Sequence, residues 1–293
     1  MTSLFFSMLL FTTSFVHATT FTGVDGKKVE VQNPKRVIAL NTSTVEVLVA
    51  LGKADLIVGV DAGSLHPEEL IKTKTNLGHP YRPNVEGMIS LKPDLVIAPE
   101  ENLPAVTAEQ LRSAKIPVLI LENSAQDGVE GLKRRIALLG QVFSAEKEAT
   151  ALITKTEKEM AEVAELVKKN GQTPKIFFLY AHGPGAAFIY GTHTGSHELI
   201  KAVGGTNSAD FTSGSKPLTA EAMVQASPDV IIMLGRGLKA LGGIEGALKL
   251  PGVTLTPAGK KKAIIQVDDS IRWIGPRFPQ FAKALLSDME KAK

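Results

Sequence analysis

The chain has 293 residues, of which 44% are hydrophobic and 22% charged, with a net charge of +3 and no cysteine. That composition fits a globular protein of one large or two ordinary domains with a full core, and the charge is too small to argue for nucleic acid. Without cysteine there are no disulfides, zinc–thiolate sites, iron–sulfur clusters or thiol catalysis.

Leu4 to Val16 is an apolar run of signal-peptide length, and Val16-His17-Ala18 ends it as a small-residue cleavage site, although no Lys or Arg precedes it. Residues 1–18 are therefore expected to be a signal peptide without a cysteine for a lipid anchor, and the mature chain to start near Thr19. Phe21 to Val31 reads as a hairpin turned at Asp25-Gly26. Arg36 to Leu40 is a buried parallel strand, and Asn41-Thr42-Ser43 caps a helix from Thr44 to Leu51. Leu56 to Val60 is the next strand, followed by a helix opening at Pro67-Glu68-Glu69.

The stretch Gly78 to Pro99 combines a polar loop carrying His79, Tyr81 and Arg82, a short helix carrying Glu86, and a strand from Asp94 to Ala98. A helix from Pro104 to Lys115, a strand from Pro117 to Leu121 and a helix from Asp127 to Gly140 follow. Strands alternating with helices argue for a parallel sheet covered on both faces. From Ser144 to Lys169 there is neither Gly nor Pro, which predicts one helix of about 26 residues and about 39 Å, capped by Ser144 and ended by Gly171. It is read as a rigid rod over 144–170, linking an N-terminal lobe (19–143) to a C-terminal lobe (171–293).

The α/β rhythm resumes with a strand from Lys175 to Tyr180, the loop Ala181-His182-Gly183-Pro184-Gly185 and a short strand from Phe188 to Tyr190. Ala220 to Ile232 repeats Val85 to Ile97, matching Glu, Met, Pro and Asp at identical offsets, so the two lobes share a building plan. Arg236 directly follows the strand Val230 to Leu234, and Arg272 lies in the loop between the last strand and a closing helix from Phe278 to Lys291.

In open α/β sheets ligands lie beyond the C-terminal strand ends. The loops there carry Asn41, His79, Tyr81, Arg82, Glu100, His182, Arg236 and Arg272. No nucleophile elbow, phosphate loop, zinc-protease motif or dinucleotide fingerprint is present, so no catalytic residue is assigned and an enzyme is not expected. His193 and His197 are four apart, but Gly195 between them argues against a shared helix and a metal pair.

Four stretches carry a resemblance. They are Arg36 to Leu40 with Thr44-Val45-Glu46; Gly78 to Val96; Ala181 to Gly185 running on to Gly204-Gly205-Thr206-Asn207; and Gly237 to Gly243 with Leu250 to Val253 and Leu255 to Gly259. On these, the chain resembles the class III periplasmic binding proteins of ABC importers, most closely their hemin-binding, HmuT-type branch. The resemblance implies two Rossmann-like α/β lobes joined by one long rigid helix, a periplasmic location, and one heme or two stacked hemes in the cleft as transported ligand. The family's iron-ligating Tyr position is occupied here by His79 and its Arg position by Tyr81, so either His79 or Tyr81 is the expected ligand. His182 matches a family His in the other lobe, and Arg82, Arg236 and Arg272 are chosen for the propionates because guanidinium pairs carboxylates bidentately. Glu86 and Glu221, one per lobe, are expected to dock on the permease of a hemin importer complex, with the protein a monomer. The alternative cargo within the class is cobalamin or a ferric siderophore.

Overall fold

Short runs of Val, Ile and Leu ending at Asn, Asp or Pro dictate the strands, and the computed structural model describes residues 19–183 and 185–291. The expected signal peptide and Pro184 lie outside the described residues. The hairpin forms as expected from β1 (Thr19–Thr22) and β2 (Lys28–Val31), with Gly26 supplying the positive φ of the turn.

The N-terminal lobe is built on a parallel sheet of β3 (Val37–Ala39), β4 (Ile57–Val60), β5 (Thr75–Asn76), β8 (Leu95–Pro99) and β9 (Val118–Leu121), in the order β5-β4-β3-β8-β9. A small antiparallel hairpin, β6 (Gly78–His79) and β7 (Arg82–Pro83), stands outside it. Every residue of β3, β8 and β9 is buried, which is why they read as continuous apolar runs without alternation. Helices α1 (Thr42–Ala50), α2 (Glu68–Ile71), α3 (Val85–Ser90), α4 (Ala105–Ser113) and α5 (Gly128–Val142) complete the lobe. α1 starts two residues earlier than expected, because Asn41 alone is its cap and accepts the Ser43 N–H.

The linking helix α6 (Glu146–Asn170) has 25 residues and spans about 38 Å. Gly171 closes it in the left-handed conformation, as expected, but Ser144 does not cap it. The N–H of Ala145 returns to the Gly140 carbonyl, so Ser144, at φ +47°, belongs to the turn that ends α5.

In the C-terminal lobe β10 (Lys175–Ala181), β14 (Val230–Leu234) and β15 (Ile264–Val267) run parallel, with β12 (Thr206–Asn207) parallel to β10. β11 (Ala187–Tyr190) and β13 (Ser215–Pro217) are antiparallel additions at the edge. The wholly parallel expectation is thus corrected for this lobe. The loop from His182 to Ala186 is too short for a crossover, so β11 must return as a hairpin. Helices α7 (Gly195–Ala202), α8 (Ala220–Ala226), α9 (Gly235–Ala240), α10 (Ile244–Ala247), α11 (Pro257–Lys261) and α12 (Phe278–Lys291) pack around the sheet. The repeat is real down to its caps. Asn84 accepts from Gly87 at the start of α3, Thr219 accepts from Ala222 at the start of α8, and Met88 and Met223 are fully buried.

One buried cluster runs from α1, β3 and α5 through Val163 of α6 into β10, α7 and α12, so the two Rossmann-like lobes share a core along the rod. Buried polar bonds reinforce it. Arg135 donates to the Ile274 carbonyl at 3.0 Å, and Arg277 pairs with the buried Glu46 at 2.8 Å.

Candidate functional site

The C-terminal strand ends of both sheets face each other across a cleft. From the N-terminal lobe, β6 and β7 make a two-residue turn with Pro80 and Tyr81 at its tip, and Gly78, at φ +90°, admits the chain into it. From the C-terminal lobe, the antiparallel pair β10 and β11 supplies Tyr180, His182, Phe188 and Tyr190. Between them lies a cavity of about 350 Å³ lined by His79, Tyr81, His182, Arg236 and Arg272, which are five of the residues singled out in the sequence. Glu86 and Glu221 are exposed, each in the first turn of its helix, and are not among the lining residues.

Arg82 does not reach the cavity. It stands one step back from the tip, on the returning strand, and is exposed. The cation that acts on Tyr81 is Arg272, from the opposite lobe. A larger cavity of about 1020 Å³, walled by Glu100, Asp127, Arg134, His193 and Glu198, is lined by charged and polar groups and by no Phe, Tyr or Trp among the described residues. His193 lies outside α7, at φ +60°, and His197 inside it, as the intervening glycine predicts.

Tyr180, Tyr190 and Phe188 were not singled out from the sequence. Their signal was the spacing of two in Phe178/Tyr180 and Phe188/Tyr190, which places each pair on one face of a strand. Tyr180 lies edge-on to the His182 ring at 4.3 Å, with its hydroxyl 3.4 Å from Nδ1, and edge-on to Tyr190 at 6.0 Å. The Arg272 guanidinium stacks over Trp273 at 4.2 Å and over Tyr180 at 5.2 Å, and Arg236 stands over the same Tyr180 ring at 5.8 Å.

Electrostatics set the protonation of these groups. Burial pushes the Tyr81 phenol up to about 12, with Arg272 pulling the other way. Partial burial and then Arg236 and Arg272 lower the His182 imidazole, which is therefore neutral at pH 7. The N–H of Tyr81 donates to His79 Nδ1 at 3.2 Å, so in the neutral ring the proton sits on Nε2. Arg272 is 9% exposed, its Nε has no hydrogen-bond partner, and among the described residues no carboxylate pairs with it. No group of three or more His, Asp or Glu able to hold a bare metal ion is assembled among the described residues.

Comparison with known proteins adds independent findings. Residues 37–271 match the family described as periplasmic binding protein. The substrate-binding lipoprotein YvrC of an ABC transporter in Bacillus subtilis is 31% identical over 250 residues, covering 84% of this chain and 77% of its own. A cobalamin-binding protein of Halobacterium salinarum is 30% identical over 74% of this chain and 58% of its own. Among solved structures, the periplasmic heme-binding protein RhuT of Roseiflexus superposes with a TM-score of 0.82 at 32% identity, over 88% of this chain and 98% of its own.

Proposed function

Because this chain belongs to the periplasmic binding protein family, the substrate-binding components of ABC importers, we propose that its cargo is heme, captured in the periplasm and handed to a permease. The observation that carries the reading is Arg272. A buried guanidinium without a carboxylate is costly to maintain and calls for an anion. Heme supplies it through its propionates, and its flat apolar ring suits a cleft walled by Tyr81, Tyr180, Phe188 and Tyr190. Arg236, already 3.8 Å from Asp269, is the second and weaker propionate partner. The RhuT likeness supports the same cargo.

Tyr81 is the iron ligand of the N-terminal lobe in this reading. Phenolate is a familiar ligand to ferric heme, whereas His79 would have to release the Tyr81 N–H and change tautomer to offer Nε2. His182 faces it from the other lobe, with Tyr180 at its Nδ1, and serves as the opposite ligand or as the ligand of a second, stacked heme. The test is hemin titration of Tyr81→Phe, His79→Ala and His182→Ala. A phenolate-to-iron charge-transfer band lost only in Tyr81→Phe supports the assignment, and loss only in His79→Ala moves the ligand to His79.

Permease docking falls to Glu86 and Glu221. Each is followed one turn later by an exposed aliphatic residue, Ile89 and Val224, at 39% and 47% exposure. The repeat thus presents one acid and one apolar contact per lobe. The second reading is cobalamin, favoured by the Halobacterium relative. Its corrin rim carries amides rather than free carboxylates, and its one anion is the phosphodiester of the nucleotide loop, so it offers Arg272 and Arg236 a single phosphate in place of two ring carboxylates.

A further inference from the structure

The turn that carries His79 and Tyr81 is not held by its own two short strands alone. A chain of fully buried polar side chains lies beneath it. Asp61, after β4, accepts the N–H groups of Asn41 and Gly63. Asn41, after β3, sits at φ +79° and donates its side-chain N–H to Asn102 Oδ1 at 2.7 Å. Asn102, after β8, donates in turn to the Pro80 carbonyl at 3.0 Å. Asp61, Asn41 and Asn102 are all 0% exposed.

Three loops from three adjacent strands therefore converge on one carbonyl, the one between the two candidate iron ligands. A buried amide has a fixed inventory of two donors and one acceptor, and here one of its donors is committed to that carbonyl. Such networks are specific because each unpaired member would be costly. The same network reaches the other lobe. A Cβ placed on Gly63 would meet Asp61 Oδ1 at 2.7 Å, the Trp273 ring at 2.8 Å and Pro80 Cβ at 3.1 Å, so Gly63 is wedged between the network, the ligand turn and the ring on which Arg272 stacks.

We propose that Asn102 is a positioning residue for iron ligation, fixing the Pro80 carbonyl and with it the reach of Tyr81 into the cleft, and that Asn41 and Asp61 hold Asn102 in place. The proposal rests on the heme reading and on Tyr81 as ligand.

Asn102→Asp tests it, because its ionised form keeps the acceptor for Asn41 and deletes the donor to Pro80, and Asn102→Leu deletes the same donor with no carboxyl that burial could protonate. The expected result is a folded protein with a displaced phenolate-to-iron charge-transfer band and hemin affinity weaker by about tenfold or more, since misplacing a ligand by a fraction of an ångström costs on that scale. Asn41→Asp keeps the acceptor for the Ser43 N–H, removes the donor to Asn102, and should displace the same band; it carries the test should Asn102→Asp not fold. A band at the wild-type position in the folded variants overturns the proposal. So does an affinity loss that merely follows a lowered melting temperature without a band shift. If wild type binds hemin saturably and loses its band in Tyr81→Phe while these variants are unchanged, the positioning role alone fails. If wild type does not bind hemin, both readings fail.

Discussion

Desolvation at the cleft holds the Tyr81 phenol above its ordinary value in the ligand-free protein, so with Tyr81 as the ligand, binding ferric iron as phenolate would release that proton. Linkage then fixes the sign. Hemin affinity should rise with pH, by about tenfold per unit between about pH 6 and about pH 8, with close to one proton released per heme. Proton release in weakly buffered solution checks this, and none released would contradict Tyr81 phenolate as the ligand. Arg272→Met removes a buried cation that no carboxylate neutralises, together with its stacking on Trp273 and Tyr180. It is expected to weaken hemin binding by about tenfold or more while leaving the ligand-free melting temperature unchanged or higher. Titration paired with thermal unfolding measures both. Most of these residues were legible because strand-end loops concentrate polar groups, and His79, Tyr81, His182, Arg236 and Arg272 all line the cavity. The position of Arg82 outside the ligand-free cavity was not legible, because composition does not say which two residues form the tip of a turn. Asn102 was invisible because its partners lie 22 and 61 positions away.

The long helix is the element on which the cleft depends. Val163 is fully buried in its C-terminal half, inside the cluster shared by both lobes. Val163→Ala should cost about 2 kcal/mol, and unfolding should remain a single transition for both lobes. Separate transitions by calorimetry would show that the shared core does not couple them. The helix was readable from its uninterrupted Ala, Glu, Lys and Leu content, and α12 from its apolar face. Less was readable at junctions. Ser144 has the chemistry of a cap, but the Gly140–Ala145 bond places it in the preceding turn. The direction of β11 is not written in its apolar pattern at all, only in the shortness of the loop before it.

At the scale of the whole molecule, a common core, the Arg135–Ile274 bond and the Glu46–Arg277 pair leave the lobes little freedom to open by themselves. Hand-over of cargo therefore calls for work done from outside, and in the proposed docking that work is applied at the two matched helix starts that carry Glu86 with Ile89 and Glu221 with Val224. Glu86→Ala and Glu221→Ala should bind hemin within about twofold of wild type yet fail to support uptake, most severely in combination, as assayed in proteoliposomes carrying the importer. The internal repeat made this two-point geometry legible before any fold was known, because matched Glu, Met and Pro-Asp positions must occupy equivalent places in two similar lobes. What most directly tests the cargo itself is a visible-range hemin titration of residues 19–293 in the presence of excess cobalamin. The account predicts a saturable Soret change that cobalamin does not suppress and that weakens in Arg272→Met. Saturable cobalamin binding, with no saturable hemin change, would contradict it.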